Sequence, residues 1–201
     1  MNTPLKVKII LGSTRQGRFG DKPAMWILDE MKKKEGVEVE MLDLRDYPMP
    51  FFEEPASPNY TKEPFKNPVV MKWTQKIAEA DAFIMLSPEY NHAYSAVLKN
   101  AIDYVGKEWN KKAVGFVSWG SVGGARAIEQ LRQVTAEVQL ASVRASVHIP
   151  WDVYMAVVGQ TAPVNPELFA PVAAAKDALI EQVIWWGSAL KVAREADQAA
   201  K

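Results

Sequence analysis

The sequence predicts an α/β fold, a five-stranded parallel sheet with helices on both faces. Short apolar runs alternate with segments whose apolar residues recur at helical spacing. Three runs, "LKVKIIL", "DAFIMLS" and "KAVGFVS", are nearly continuous in apolar residues, as central strands are. Two others, "GVEVEML" and "SVRASVHI", alternate apolar with polar, as edge strands do.

The elements follow in order. The first strand spans Leu5–Leu11 and is closed by Gly12. Asp21 is expected to cap the next helix, and Pro23 suits its first turn. Ala24, Ile27, Leu28 and Met31 share one face of that helix. After the second strand, the proline-rich "RDYPMPFFEEPASPNYTKEPFKNP" reads as an ordered loop across the surface. A helix is predicted at Val69–Glu79, and the third strand follows. In "AYSAVLKNAIDYV", Val97, Leu98, Ala101, Ile102 and Val105 lie on one side of a helix. The fourth strand leads through "SWGSVGGARAIEQLRQV" into a helix with Ile128, Leu131 and Val138 inward.

Beyond the fifth strand, a loop with Gly159, Pro163 and Pro166 leads to the final helix. There Leu179, Val183, Trp186 and Leu190 repeat at helical spacing, and Trp185 and Trp186 read as core or oligomer contacts. No repeat or linker divides the chain, so residues 1–201 read as a single domain. Placing the alternating strands second and fifth at the edges gives the order 2-1-3-4-5, which is flavodoxin-like. Such sheets bind ligands beyond the carboxyl ends of their strands, near the switch between strands one and three.

Composition narrows the function. With 24 basic and 24 acidic residues, the formal net charge is zero, which points to neither nucleic acid nor an anionic membrane surface. No apolar run approaches the roughly 18 residues of a membrane span, and the N-terminus does not read as a signal peptide. The absence of cysteine excludes disulfides, thiolate metal sites and cysteine nucleophiles. A cytoplasmic protein with no metal site is expected.

Three loops should converge at the carboxyl edge. "GSTRQGRFG" offers Ser13, Thr14, Arg15, Gly17, Arg18 and Phe19 beside a helix N-terminus, where unpaired N–H groups attract an anion. Arg18 and Phe19 stand where a P-loop needs Lys and Ser or Thr, so a phosphate monoester fits better than a nucleoside triphosphate. The dinucleotide pattern G-x-G-x-x-G is missing. In "SPEYNH", Pro88 fixes a backbone angle, Tyr90 is flat, and Asn91 is both donor and acceptor. These residues suit a flat heteroaromatic ligand or a capped turn. In "SWGSVGG", Gly120, Gly123 and Gly124 allow close approach or a tight turn, and Trp119 is either pocket wall or core. His92 and His148 read as local hydrogen-bonding residues rather than general bases. Glu89 reads as a partner for a nearby cation, and Arg126 as structural.

"LGSTRQGRFG", "LDLRDYPMPFFEE", "ADAFIMLSPEYNHAYSAVLKNAIDYV" and "GFVSWGSVGGARAIEQLRQV" together resemble the NADPH-dependent FMN reductase family. The resemblance covers most of Val7–Val134. It implies bound FMN, with NADPH or NADH as co-substrate. The loop matching Ser13–Phe19 would hold the phosphate, and Pro88, Glu89, Tyr90 and Asn91 would line the ring. Ser118, Trp119, Gly120, Gly123 and Gly124 would approach its pyrimidine side. Gly20 departs from the small polar residue often found nearby. A homodimer is implied, with the helix after "PEYN" at the interface, and a homotetramer stays open.

No catalytic triad or metal cluster stands out, which fits chemistry carried by a cofactor. The expected enzyme passes electrons from a nicotinamide nucleotide through FMN to a quinone, flavin, azo compound or metal oxyanion, by ping-pong kinetics. Backbone N–H groups of Gly120–Gly124 would stabilise the reduced flavin. The alternative is a non-catalytic electron carrier or binding module of the same fold. The neutral charge favours the enzyme.

Overall fold

The structure, a computed structural model, describes residues 3–61, 63–161 and 163–200. β1 spans Leu5–Leu11, β2 Val37–Asp43, β3 Ala82–Pro88, β4 Lys112–Trp119 and β5 Leu140–Ile149. β3 and β4 are buried along their whole length, while β2 and β5 have mixed burial. Apolar runs therefore take the middle of the sheet, and alternating runs take its edges. The strands pair in parallel in the order β2-β1-β3-β4-β5, as the sequence predicts.

α1 (Asp21–Lys32), α5 (Trp151–Val158) and α6 (Ala173–Ala199) share one apolar cluster with one sheet face. α2 (Pro68–Glu79), α3 (Ala96–Asp103) and α4 (Ala125–Glu137) share the other. The cluster with α1 and α6 includes Ile9, Ile84, Val117 and Val147, and the opposite one includes Ile10, Phe83, Met85 and Phe116. Side chains alternate across a strand, so each central strand feeds both layers.

Two glycines set how closely α6 lies on the sheet. A Cβ on Gly115 would stand 2.3 Å from Leu179 Cδ1, and one on Gly187 would stand 3.0 Å from the Ala82 Cβ. The proline-rich stretch is tied to α3. Asn100 accepts from Phe52 N–H and donates to the Pro50 carbonyl, while Tyr104 donates to the Phe51 carbonyl.

Several expectations need correction. α5 lies in the segment before Gly159 to which the sequence reading gave no helix. "WDVYMAVV" is apolar nearly all round, with only Val153 and Val157 buried, so no polar face marks its period. Pro166–Val172 forms 3₁₀ turns, and α3 begins at Ala96, after the Ser95 cap. Trp186 does not face inward: it is 44% exposed, and Leu179, Ile180, Val183 and Gly187 make the buried stripe of α6. Asp21 does not cap α1. The N-cap is Gly20, without a side-chain hydrogen bond, and the Asp21 carboxylate accepts from Arg18 instead.

Candidate functional site

The loops after β1, β3 and β4 converge at the carboxyl edge because the strands that launch them are neighbours. Gly12 N–H donates to the Leu86 carbonyl at 2.8 Å, and Glu89 N–H donates to the Trp119 carbonyl at 2.8 Å. Buried serines add a second set of ties. Ser95 Oγ donates to the Gly12 carbonyl, Ser118 Oγ donates to the Ser87 carbonyl at 2.6 Å, and Ser87 Oγ accepts from Ser95 N–H at 3.1 Å. A Cβ on Gly12 would stand 2.7 Å from the Leu86 carbonyl oxygen, so the first loop can start only from glycine.

In the first loop, the N–H groups of Ser13, Thr14, Arg15 and Gln16 donate to no acceptor among the described residues. Ser13 is buried, whereas Thr14 to Gly17 are exposed. Gly17 has φ +61°, with no atom within 4 Å of where its Cβ would lie. Ser13 Oγ is 3.3 Å from the Tyr90 hydroxyl, and the Arg15 guanidinium lies 5.4 Å from the Tyr90 ring centroid. Free amides, a hydroxyl and a guanidinium around open space match the donor set that a phosphate monoester requires.

Arg18 does not face this space. Its guanidinium is buried, donating to Asp21, Asp43 and the Ser13 carbonyl. Burial alone disfavours its charge, but the hydrogen bonds it donates to Asp43 and Asp21 prevail and hold its pKa above the usual arginine value. Burial likewise works against the Asp43 carboxylate, yet Arg18 and the Arg45 N–H keep its pKa below the usual value. Phe19 is core rather than lining, its ring 4.5 Å from that of Tyr154 and 5.5 Å from that of Trp119. The sequence reading gave no role to Asp43 or Arg45. The signal was their place at the carboxyl end of the second strand, the neighbour of β1 in the sheet.

In the second loop, Tyr90 and Ala93 exchange N–H to carbonyl hydrogen bonds of 2.8 and 3.0 Å, with Asn91 at φ 50° and His92 at φ 70° between them. This is a type I′ turn, a geometry that asparagine tolerates better than most residues. Glu89 and Arg126 join the second and third loops. The Glu89 carboxylate, 4% exposed, accepts from Arg126 N–H at 3.1 Å and from Nε at 2.8 Å. Arg126 also contacts His92 Nε2.

The third loop depends on its glycines. Gly123 and Gly124 have φ +66° and +73°, and a Cβ on Gly124 would stand 1.9 Å from Ser118 Oγ. The Ser118 side chain is thus packed beneath the loop instead of lining it. Trp119 is also core, 5% exposed, and a Cβ on Gly20 would stand 3.0 Å from it. With Leu11 Cδ1 at 2.8 Å as well, this packing leaves no room for a side chain at position 20. His148 packs against Gly123 and bonds Ser146 Oγ at 2.9 Å, and burial pushes its pKa down. Ser13, Thr14, Arg15, Gly17, Tyr90, Asn91, Gly120, Gly123 and Gly124 therefore meet at one edge. Arg18, Phe19, Glu89, Ser118 and Trp119 form the support beneath.

Comparison with known proteins places the chain in a family. A profile of the NADPH-dependent FMN reductase family matches residues 5–152. An NAD(P)H-dependent FMN reductase of Schizosaccharomyces pombe is 33% identical over 149 residues, covering 73% of this chain and 74% of its own. An NAD(P)H:quinone oxidoreductase of Solanum tuberosum is 36% identical over 135 residues, covering 65% of this chain and 66% of its own. In fold, the chain is similar to the flavoenzyme FerB, an NAD(P)H:acceptor oxidoreductase of Paracoccus denitrificans. That match has a TM-score of 0.65 at 20% identity and covers 89% of this chain and 97% of FerB. The chain thus belongs to the NADPH-dependent FMN reductase family, flavin-dependent oxidoreductases that draw electrons from reduced nicotinamide nucleotides.

Proposed function

We propose that the chain binds FMN at the carboxyl edge of its sheet and reduces small aromatic or quinonoid acceptors with NADH or NADPH by a ping-pong route. The observation that carries this reading is the run of amides at Ser13–Gln16 with no acceptor among the described residues, in a loop whose Ser13 Oγ lies 3.3 Å from the Tyr90 hydroxyl. Ser13, Thr14, Arg15 and the backbone around Gly17 bind the phosphate. Tyr90 and the backbone of Pro88–Asn91 flank the ring. Gly120, Gly123 and Gly124 bring backbone N–H groups and the start of α4 to its pyrimidine edge, where negative charge is stabilised on reduction.

When bound, FMN supplies the two-electron chemistry that the side chains lack. The protein's part is to orient the ring, to hold Gly120–Gly124 in place through Glu89 and Arg126, and to leave one ring face open to each substrate in turn. Quinones, flavins and azo compounds fit that opening as flat acceptors. Self-association through α3, as a dimer or tetramer, is part of the same reading, as is a single-domain, cytoplasmic protein.

The test is a flavin spectrum of the purified protein, followed by anaerobic addition of NADH or NADPH and then of an acceptor panel. Expected are a bound FMN spectrum, bleaching by the nucleotide, recovery with acceptor, and parallel double-reciprocal lines. A colourless protein that stays colourless with FMN overturns the cofactor reading. Intersecting lines overturn the ping-pong step alone.

A further inference from the structure

Arg18 has five N–H donors, and five hydrogen bonds to four acceptor atoms take them up. Nε and one Nη2 hydrogen go to Asp21, and one hydrogen from each Nη goes to Asp43. The remaining Nη1 hydrogen goes to the Ser13 carbonyl. None remains for a ligand, and the cluster of Arg18, Asp21 and Asp43 carries a net charge of −1. As a direct phosphate ligand, Arg18 would therefore be both occupied and electrostatically outweighed. Yet it is held with its side chain 3% exposed, directly behind the anion loop.

What it grips is informative. In a trans peptide, the carbonyl and the next N–H point in opposite directions. By drawing the Ser13 carbonyl towards the support, Arg18 turns Thr14 N–H the other way. Arg45 does the same two peptides further on. Its Nη2 donates to the Arg15 carbonyl, which turns Gln16 N–H away from Arg45. Asp43 couples the two arginines, since its carboxylate accepts from both the Arg18 side chain and Arg45 N–H. Two guanidinium groups thus fix two alternate peptides of a loop whose amides otherwise have no partner.

We propose that Arg18 and Arg45 are positioning residues that preorganise the loop for a phosphate monoester and thereby set selectivity for phosphorylated over unphosphorylated flavin. The proposal rests on the FMN reading above. It assigns the preference to residues that never touch the ligand.

The test compares dissociation constants of apoprotein for FMN and for riboflavin, with inorganic phosphate as competitor. The variants are Arg18→Met/Asp43→Asn, which keeps the net charge of the cluster at −1, and Arg45→Met, which lies in an exposed segment. Wild type is expected to favour FMN strongly, with phosphate competing. Arg18→Met/Asp43→Asn should weaken FMN by about ten- to a hundredfold, the worth of one or two charge-assisted hydrogen bonds. Riboflavin affinity should stay within about threefold. Arg45→Met should lower the FMN to riboflavin preference by about three- to tenfold. A double variant that keeps the wild-type preference, or one that loses both flavins equally, overturns the role of Arg18. Should that variant not fold, Arg45→Met decides, and an unchanged preference there overturns the proposal. Wild type that binds neither flavin would instead sink the FMN reading itself.

Discussion

At the scale of single residues, the three loops hold glycines of different worth. Gly124 combines φ +73° with a Cβ position 1.9 Å from Ser118 Oγ, so alanine there must displace a buried hydrogen-bonded serine. Gly17 has a similar φ of +61° but open space around it. Gly17→Ala is expected to cost about 1 kcal/mol, the left-handed backbone term alone. Gly124→Ala should cost well over about 2 kcal/mol and abolish flavin retention. Urea denaturation of both variants checks the order, and equal losses would contradict the packing described for Ser118. Lys112 is a second case. Its Nζ donates to the carbonyls of Ile77 and Ala78, and burial, helped by Arg194, pushes its pKa down to about 8 from 10.5. Between those values the folded protein has released this proton and the unfolded chain has not, so stability from this group rises with pH. Urea midpoints at about pH 7.5 and about pH 9.5 should rise for wild type relative to Lys112→Met. An identical pH response in both proteins would remove Lys112 from the account.

At the scale of elements, α6 and β4 meet through an absent side chain. The space that a Cβ would need at Gly115 is occupied by Leu179, with Val183 Cγ2 at 2.9 Å. Gly115→Ala should therefore destabilise by about 1–3 kcal/mol, the usual cost of overpacking. In a Leu179→Ala background, Gly115→Ala should cost less than it does alone, because the second change vacates the contested volume. Thermal unfolding of the two single variants and the double variant measures the coupling, and strict additivity would refute the contact. The same reasoning explains which helices the sequence revealed. α1, α2 and α4 each have a polar face against an apolar one, so their periods can be read. α5 has hardly any polar face, and its helical repeat was invisible even though its residues are ordered.

At the scale of the whole molecule, the sheet brings three loops together that are separated by long stretches of chain, and the ligand is expected to bridge them. FMN should then bind the folded chain in preference to the unfolded one. At a hundredfold excess over its dissociation constant, it should raise the unfolding free energy by about 2.7 kcal/mol. Differential scanning of apoprotein with and without FMN tests this, and an unchanged midpoint would falsify a site built from all three loops. Among the described residues, no helix is long and apolar enough to cross a membrane. Trp185 and Trp186 on α6 are exposed, and their rings pack edge-on at 5.4 Å.

Strand order, and with it which loops must meet, was legible in the chain itself. Continuous against alternating burial fixes which strands are central, and strand order fixes which loops must meet. Glycine, proline and small polar residues marked those loops, because few other residues take up such backbone shapes. What each side chain does there was not legible. Arg18 looked like an anion ligand until Asp21 and Asp43 were seen to occupy all its donors along with the Ser13 carbonyl, and Asp43 lies 25 residues away along the chain. Phe19 and Ser118, read with the ligand-facing loops, are packed beneath them, and Trp119, left open between pocket wall and core, is core. Periodicity reports which face of an element is buried. Whether a polar group is free or already paired depends on atoms from distant segments, and only the folded chain brings those atoms within reach.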